Sequence, residues 1–92
     1  LRDRLREYAD MGARFAKWRA VITIGEGQPG RACVEANAHA LARYAALCQE
    51  VGLVPVVEPE VLMQGDHSLD RSRAITEDVL RRVFDQLHAQ GV

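Results

Sequence analysis

Lysine is almost missing from this 92-residue chain: twelve residues are basic, eleven of them arginines, and Lys17 is the single lysine. A basic excess is missing too. The formal net charge is −1 and no long run of one sign occurs, which argues against nucleic acid or an anionic membrane as a partner. No apolar stretch approaches the roughly 20 residues of a membrane span. The first residues form an Arg- and Asp-rich helix in place of a signal peptide, so a soluble, cytoplasmic protein is expected. Cysteine is scarce: Cys33 and Cys48 fall on one predicted helix about 22 Å apart along its axis. They are too far apart to bridge and lack the spacing of metal ligands. Both are expected to be small core residues, and no metal site is expected. With a start at Leu1 in place of Met, a piece of something longer is expected, processing being the alternative.

What is present is ordinary for a globular protein, with 48% hydrophobic and 27% charged residues, and the length allows one small domain. Leu1, Leu5 and Tyr8 recur at helical spacing, and Gly12 is placed to end that helix in the left-handed conformation. Phe15 to Ile24 reads as a strand. The Gly25 to Gly30 stretch is glycine-rich but has neither the GxGxxG nor the P-loop spacing; it reads as a strand-to-helix connection, with Pro29 suited to the first helical position. Cys33, Ala36 or Asn37, Ala40, Leu41, Tyr44, Leu47, Cys48 and Val51 then predict a long amphipathic helix closed by Gly52. A second strand runs from Leu53 to Leu62. The loop from Met63 to Ser68 offers Asp66 or Ser68 as a helix N-cap. The last helix, Leu69 to Gln90, carries Ile75, Val79, Leu80, Val83, Phe84 and Leu87 on one side, with Gly91 past its end.

Strands alternating with helices, without a hairpin signal, predict an α/β fold of order α-β-α-β-α with parallel strands. Side chains of a strand alternate faces. Lys17 and Arg19 therefore share one face of the first strand against Ala16, Trp18, Ala20, Ile22 and Ile24. In the second strand Val56, Glu58 and Glu60 oppose Val57, Pro59 and Val61. Each strand thus has a charged front and an apolar back, and Trp18 on the back is expected to pack against helices. Two parallel strands do not make a stable sheet, because parallel sheets persist with both faces covered. Further strands must supply the cover, as in a closed βα barrel whose lumen would receive Lys17, Arg19, Glu58 and Glu60. A barrel of about 250 residues would draw roughly a third of itself from this chain.

On residue chemistry alone, a strand lysine near two carboxylates invites the role of imine-forming nucleophile. A glycosidase pair fits poorly: Glu58 and Glu60 stand about 6.6 Å apart along one strand and project in parallel, whereas acid and nucleophile must face each other across a sugar bond. His39 and His88 lie on helices without a partner at ligand spacing and read as surface residues. His67 reads as part of a helix-capping neighbourhood.

Phe15-Ala-Lys-Trp-Arg19 followed by Val54-Pro-Val-Val-Glu-Pro-Glu60 resembles class I fructose-bisphosphate aldolase. The likeness extends to Gly12-Ala-Arg-Phe15, Ile24-Gly-Glu26, Glu35-Ala-Asn37, Leu41-Ala-Arg-Tyr-Ala45, Gly52-Leu-Val-Pro55 and Gly65-Asp-His67, with Leu69 and Arg71 close behind. It spans essentially the whole chain without a gap. The resemblance implies a partial TIM barrel, residues 1–92 being an internal segment of one barrel domain around its fourth and fifth strands. It implies the reversible cleavage of fructose 1,6-bisphosphate to dihydroxyacetone phosphate and glyceraldehyde 3-phosphate, through a lysine Schiff base and with neither metal nor cofactor. That lysine lies on the family's next strand, which this chain does not reach, so the segment by itself is expected to be inactive. The first-strand aspartate and the phosphate-binding loops of the last strands are absent as well.

By the same resemblance Lys17 is the neighbouring cation and not the nucleophile, polarising substrate oxygens. Glu58 corresponds to the general acid/base that moves protons in imine formation and C–C cleavage, Glu60 to a residue holding the lysines in a hydrogen-bonded network, and Arg19 to a substrate-contacting arginine. A purely structural pairing of Lys17 with Glu58, or of Arg19 with Glu58 or Glu60, is the alternative for each. Implied partners are a sugar phosphate, the remainder of the barrel and further copies in a tetramer. A non-catalytic truncated or interaction module derived from the barrel is the competing function.

Overall fold

The computed structural model describes residues 1–63 and 65–92. Two helix ends set the path of the chain. Helix α1 (Arg2–Asp10) stops where the Ala13 amide donates to the Tyr8 carbonyl at 3.0 Å across Gly12, whose φ is +102°. Helix α2 (Arg31–Glu50) stops the same way, with the Leu53 amide on the Cys48 carbonyl at 2.8 Å and Gly52 at φ +82°. This six-to-one closure needs a left-handed residue, which glycine supplies without a Cβ clash. Each closure delivers the chain straight into a strand, β1 (Phe15–Ile22) or β2 (Val54–Val61). Helix α3 (Leu69–Ala89) is capped by Ser68, whose Oγ accepts the Arg71 amide at 3.1 Å, so Ser68 and not Asp66 is the N-cap. The predicted loop before it includes Gln64, which lies outside the described residues. Among the described residues no helix is long and apolar enough to cross a membrane.

β1 and β2 pair in parallel, from Phe15 opposite Val54 to Ile22 opposite Val61. The Val54 amide donates to Arg14 O and the Leu62 amide to Ile22 O, each at 2.9 Å. The alternation of a parallel ladder then aims the amides of Val54, Val56, Glu58 and Glu60 at β1. Pro55 and Pro59, with no N–H to give, fall on the outer edge. Two prolines therefore sit inside a strand at no cost to this pairing. Both strands are shorter than their apolar runs predicted because the Leu62 bond to Ile22 closes the ladder, leaving Thr23 and Ile24 beyond it. Helix α2 likewise begins at Arg31, capped by Gly30, so Pro29 precedes it.

The helices cover the apolar back of the sheet. Under the upper half, Ala20 meets Val34, Ala38 and Leu41 of α2 and Val79 and Val83 of α3. Under the lower half, Leu5 of α1 packs with Tyr44, Ala45, Cys48 and Leu53. The buried stripe of α2 shares Leu41, Tyr44 and Cys48 with the expected one but otherwise runs through Val34, Ala38, Ala42 and Ala45. An alanine-rich helix offers several candidate stripes, and packing selects the one whose small residues allow close approach to sheet and helix together. Cys33 lies off that stripe and is exposed, contrary to expectation, whereas Cys48 is buried. In α3 only Val79 and Val83 are buried, while Leu80 and Phe84 stay exposed, since α2 covers only part of the apolar side. In α1 Leu5 alone is buried.

Tyr44 joins the layers. Its ring stands edge-on to Trp18, centroids 5.4 Å apart at 75°. Trp18 does contact a helix as expected, yet it remains 40% exposed. The Tyr44 hydroxyl reaches the carbonyl oxygens of Ala16 on β1 and Val56 on β2, the latter at 3.2 Å. Burial, then the neighbouring Cys48, pushes the phenol up to about 12 from its usual 10.0. A folded value above the unfolded one favours folding with the proton on. That stability is therefore full below about pH 10 and is lost as the pH rises through about 12.

Two outcomes are expected. In tyrosine ¹³Cζ NMR the Tyr44 signal titrates near 12, whereas a midpoint near 10 would mean that the hydroxyl is open to water. The 92-residue chain alone gives a helical circular dichroism spectrum with a shallow thermal response and binds a hydrophobic dye. A sharp cooperative transition without dye binding would contradict an uncovered half-sheet.

Candidate functional site

The front of the sheet carries the charges. The register sets odd-numbered positions of β1 opposite even-numbered positions of β2, and paired residues share a face. Phe15, Lys17, Arg19 and Val21 therefore stand beside Val54, Val56, Glu58 and Glu60. Lys17 Nζ lies 2.9 Å from Glu58 Oε2, and Arg19 Nε lies 3.0 Å from Glu60 Oε2. Neither pair follows the register. Lys17 is opposite Val56 and Arg19 opposite Glu58, so each cation reaches two residues further along β2. Strand side chains lean along the chain direction, and these long stems span the diagonal. Glu58 is thereby set between both cations, beside Arg19 in register and in ionic contact with Lys17.

All four predicted site residues are brought together on one face. The Lys17 and Arg19 side chains are each 56% exposed, and those of Glu58 and Glu60 are 36% and 37% exposed. The same face leaves Phe15, Val21, Val54 and Val56 open. Glu58 Oε2 and Glu60 Oε2 are individually shielded, yet neither receives an aligned hydrogen bond among the described residues. At 2.9 and 3.0 Å the cations lie against these oxygens as ion pairs. Among the described residues no cluster of three or more His, Cys, Asp or Glu side chains is placed to hold a metal ion.

The loops leaving both strands lie at the same end of the sheet. Arg71, in the first turn of α3, donates from Nη2 to Gly25 O at 2.6 Å and to Gln28 O at 3.0 Å. It clips the turn in which Gly25 and Gln28 exchange backbone hydrogen bonds at 3.2 Å. The Gly25–Gly30 stretch is thus a stapled connection. His67 sits in the neighbouring loop, its Nδ1 buried and without a hydrogen bond among the described residues, and 3.0 Å from where a Cβ on Gly65 would lie. His39 is exposed beside Gln90, and His88 is exposed in the last turn of α3. Sequence reasoning missed Tyr44 and Arg71. A tyrosine on the buried side of a helix should have signalled itself, because a buried hydroxyl seeks a partner. Arg71 gave no local signal, since its partners are remote backbone carbonyls.

A family model described as glycolytic class-I fructose-bisphosphate aldolase matches residues 1–92. A probable class 1 fructose-bisphosphate aldolase of Xanthomonas campestris pv. campestris is 64% identical over 92 residues, covering 100% of this chain and 28% of that protein. The cytosolic fructose-bisphosphate aldolase 6 of Arabidopsis thaliana is 51% identical over 87 residues, covering 95% of this chain and 24% of its own length. A crystal structure of fructose-bisphosphate aldolase from Plasmodium falciparum, in complex with TRAP and a small-molecule inhibitor, superposes with a TM-score of 0.94 at 45% identity. That match covers 99% of this chain and 27% of the other. The α-β-α-β-α unit is accordingly a partial TIM barrel, and the chain spans about a quarter of the length of the relatives it matches. With a family match over every residue, the chain belongs to the class-I fructose-bisphosphate aldolases.

Proposed function

We propose that residues 1–92 are an internal segment of a single TIM-barrel domain and supply the acid/base wall of a Schiff-base aldolase. The observation that carries this reading is the diagonal pairing of Lys17 with Glu58 and Arg19 with Glu60 on the uncovered face. The parent reaction is reversible aldol cleavage of fructose 1,6-bisphosphate to dihydroxyacetone phosphate and glyceraldehyde 3-phosphate. The imine-forming lysine belongs to a following strand, outside these residues. Imine formation, its hydrolysis and C–C cleavage each transfer a proton, and Glu58, held against Lys17, is the group that moves it.

Lys17, touching Glu58, is the fixed cation beside the reacting centre. Glu60 anchors Arg19 through Nε, and among the described residues the terminal nitrogens of Arg19 make no hydrogen bond, which leaves its planar fork for a phosphate or oxyanion of the substrate. The whole enzyme acts in the cytoplasm, as the name of the Arabidopsis relative indicates for that protein, and assembles as a homotetramer.

The chain alone is expected to cleave no fructose 1,6-bisphosphate, and borohydride with dihydroxyacetone phosphate is expected to label none of its residues. Label on Lys17 would overturn its assignment as a non-covalent cation. In a complete aldolase barrel carrying this chain, cleavage is expected, and Glu58→Gln lowers kcat about 10²- to 10⁴-fold. A completed barrel that binds a protein partner but cleaves nothing would support a non-catalytic interaction module instead.

A further inference from the structure

We infer that Tyr44 is a positioning residue for the Lys17–Glu58 pair, its hydroxyl fixing how far β1 is slid along β2 at the level of that pair. The inference rests on the acid/base reading above. Tyr44 is 3% exposed and approaches the sheet from the helix side. The carbonyls it meets belong to Ala16, which precedes Lys17, and to Val56, the register partner of Lys17 and two residues before Glu58. The hydroxyl therefore lies directly behind the rung from which the ion pair projects on the other face. It touches nothing on that face and acts only through the two strands.

Simple filling of the core does not account for it. A phenylalanine would occupy nearly the same volume and keep the edge-on contact with Trp18. The carbonyls do not require the hydroxyl either, since the ladder bonding seen at Arg14–Val54 and Ile22–Leu62 continues through them. A buried hydroxyl carries a desolvation cost, and what it adds here is one donor shared by two strands. Its phenol, held up to about 12, keeps that proton throughout the neutral range. A slip of one residue would move the strands about 3.3 Å, taking one carbonyl out of reach. A shift of only about 1 Å in a reacting group can change a rate about 100-fold. A donor bridging both backbones resists small slips of that kind.

The test uses the full aldolase chain that carries these residues, comparing Tyr44→Phe, Tyr44→p-aminophenylalanine and Glu58→Gln. The expected result for Tyr44→Phe is kcat about 10- to 100-fold lower, KM within about twofold, and a melting temperature within about five degrees of the parent. The amine of p-aminophenylalanine restores a donor and is expected to recover most of kcat. Unchanged kcat in Tyr44→Phe overturns the inference, as does a variant that fails to fold or loses kcat, KM and melting temperature together, because the hydroxyl then serves stability alone. Full activity in Glu58→Gln overturns the acid/base reading itself, whereas an inactive Glu58→Gln beside an active Tyr44→Phe overturns only the positioning.

Discussion

The position of β1 along β2 is the constraint on which the open face depends. A parallel pair displaced by one residue would turn Val57 and Pro59 to the front and drive Glu58 and Glu60 beneath the helices. Several features hold the observed alignment. The Schellman closures at Gly12 and Gly52 start both strands immediately after their helices. The 20 residues of α2 extend about 30 Å, close to the roughly 26 Å of an eight-residue strand, so the crossover returns the chain to the level at which β1 began. Pro55 and Pro59 occur only where the ladder needs no donor, and Tyr44 ties the backbones of both strands from behind.

The charged pairs are carried by this framework and do little to hold it together. Exposed ion pairs contribute about 0–1 kcal/mol, and all four side chains here are at least a third exposed. Stability comes from the other face, where Ile22, Leu41 and Cys48 are almost completely buried. Open valines and Phe15 beside the charges mark a face made to be covered by more of a barrel. The charged face and the packed core thus occupy opposite sides of the same two strands: side-chain alternation sorts the residues of each strand by face, and the parallel pairing brings Lys17 and Arg19 beside Glu58 and Glu60.

Much of this was legible in sequence because period-two alternation and helix-ending glycines are local signals. The order of elements, the parallel pairing, the charged front and the identity of the four front residues all follow from them. The diagonal reach of Lys17 to Glu58 was not legible, since it depends on register and on stem length. The buried stripe of α2 was partly misplaced because alanines carry weak hydrophobic contrast, and Cys33 was assigned to the core because an isolated cysteine is commonly a small core residue. Leu80 and Phe84 lie on the apolar side of α3 yet stay exposed, because periodicity reports which side of a helix is apolar, not whether a neighbour covers it. Arg71 acts on remote backbone carbonyls and leaves no pattern in the residues around it, whereas the place of Tyr44 on the apolar side of α2 was legible and its carbonyl partners were not.

A double-mutant cycle on kcat/KM between Lys17→Met and Glu58→Gln, in a complete aldolase barrel carrying this chain, tests the proposed cooperation of the front face most directly. If the two side chains work as one unit, the double variant loses about as much as the more damaging single variant. Losses that multiply would contradict the account, because the lysine and the carboxylate would then be acting independently.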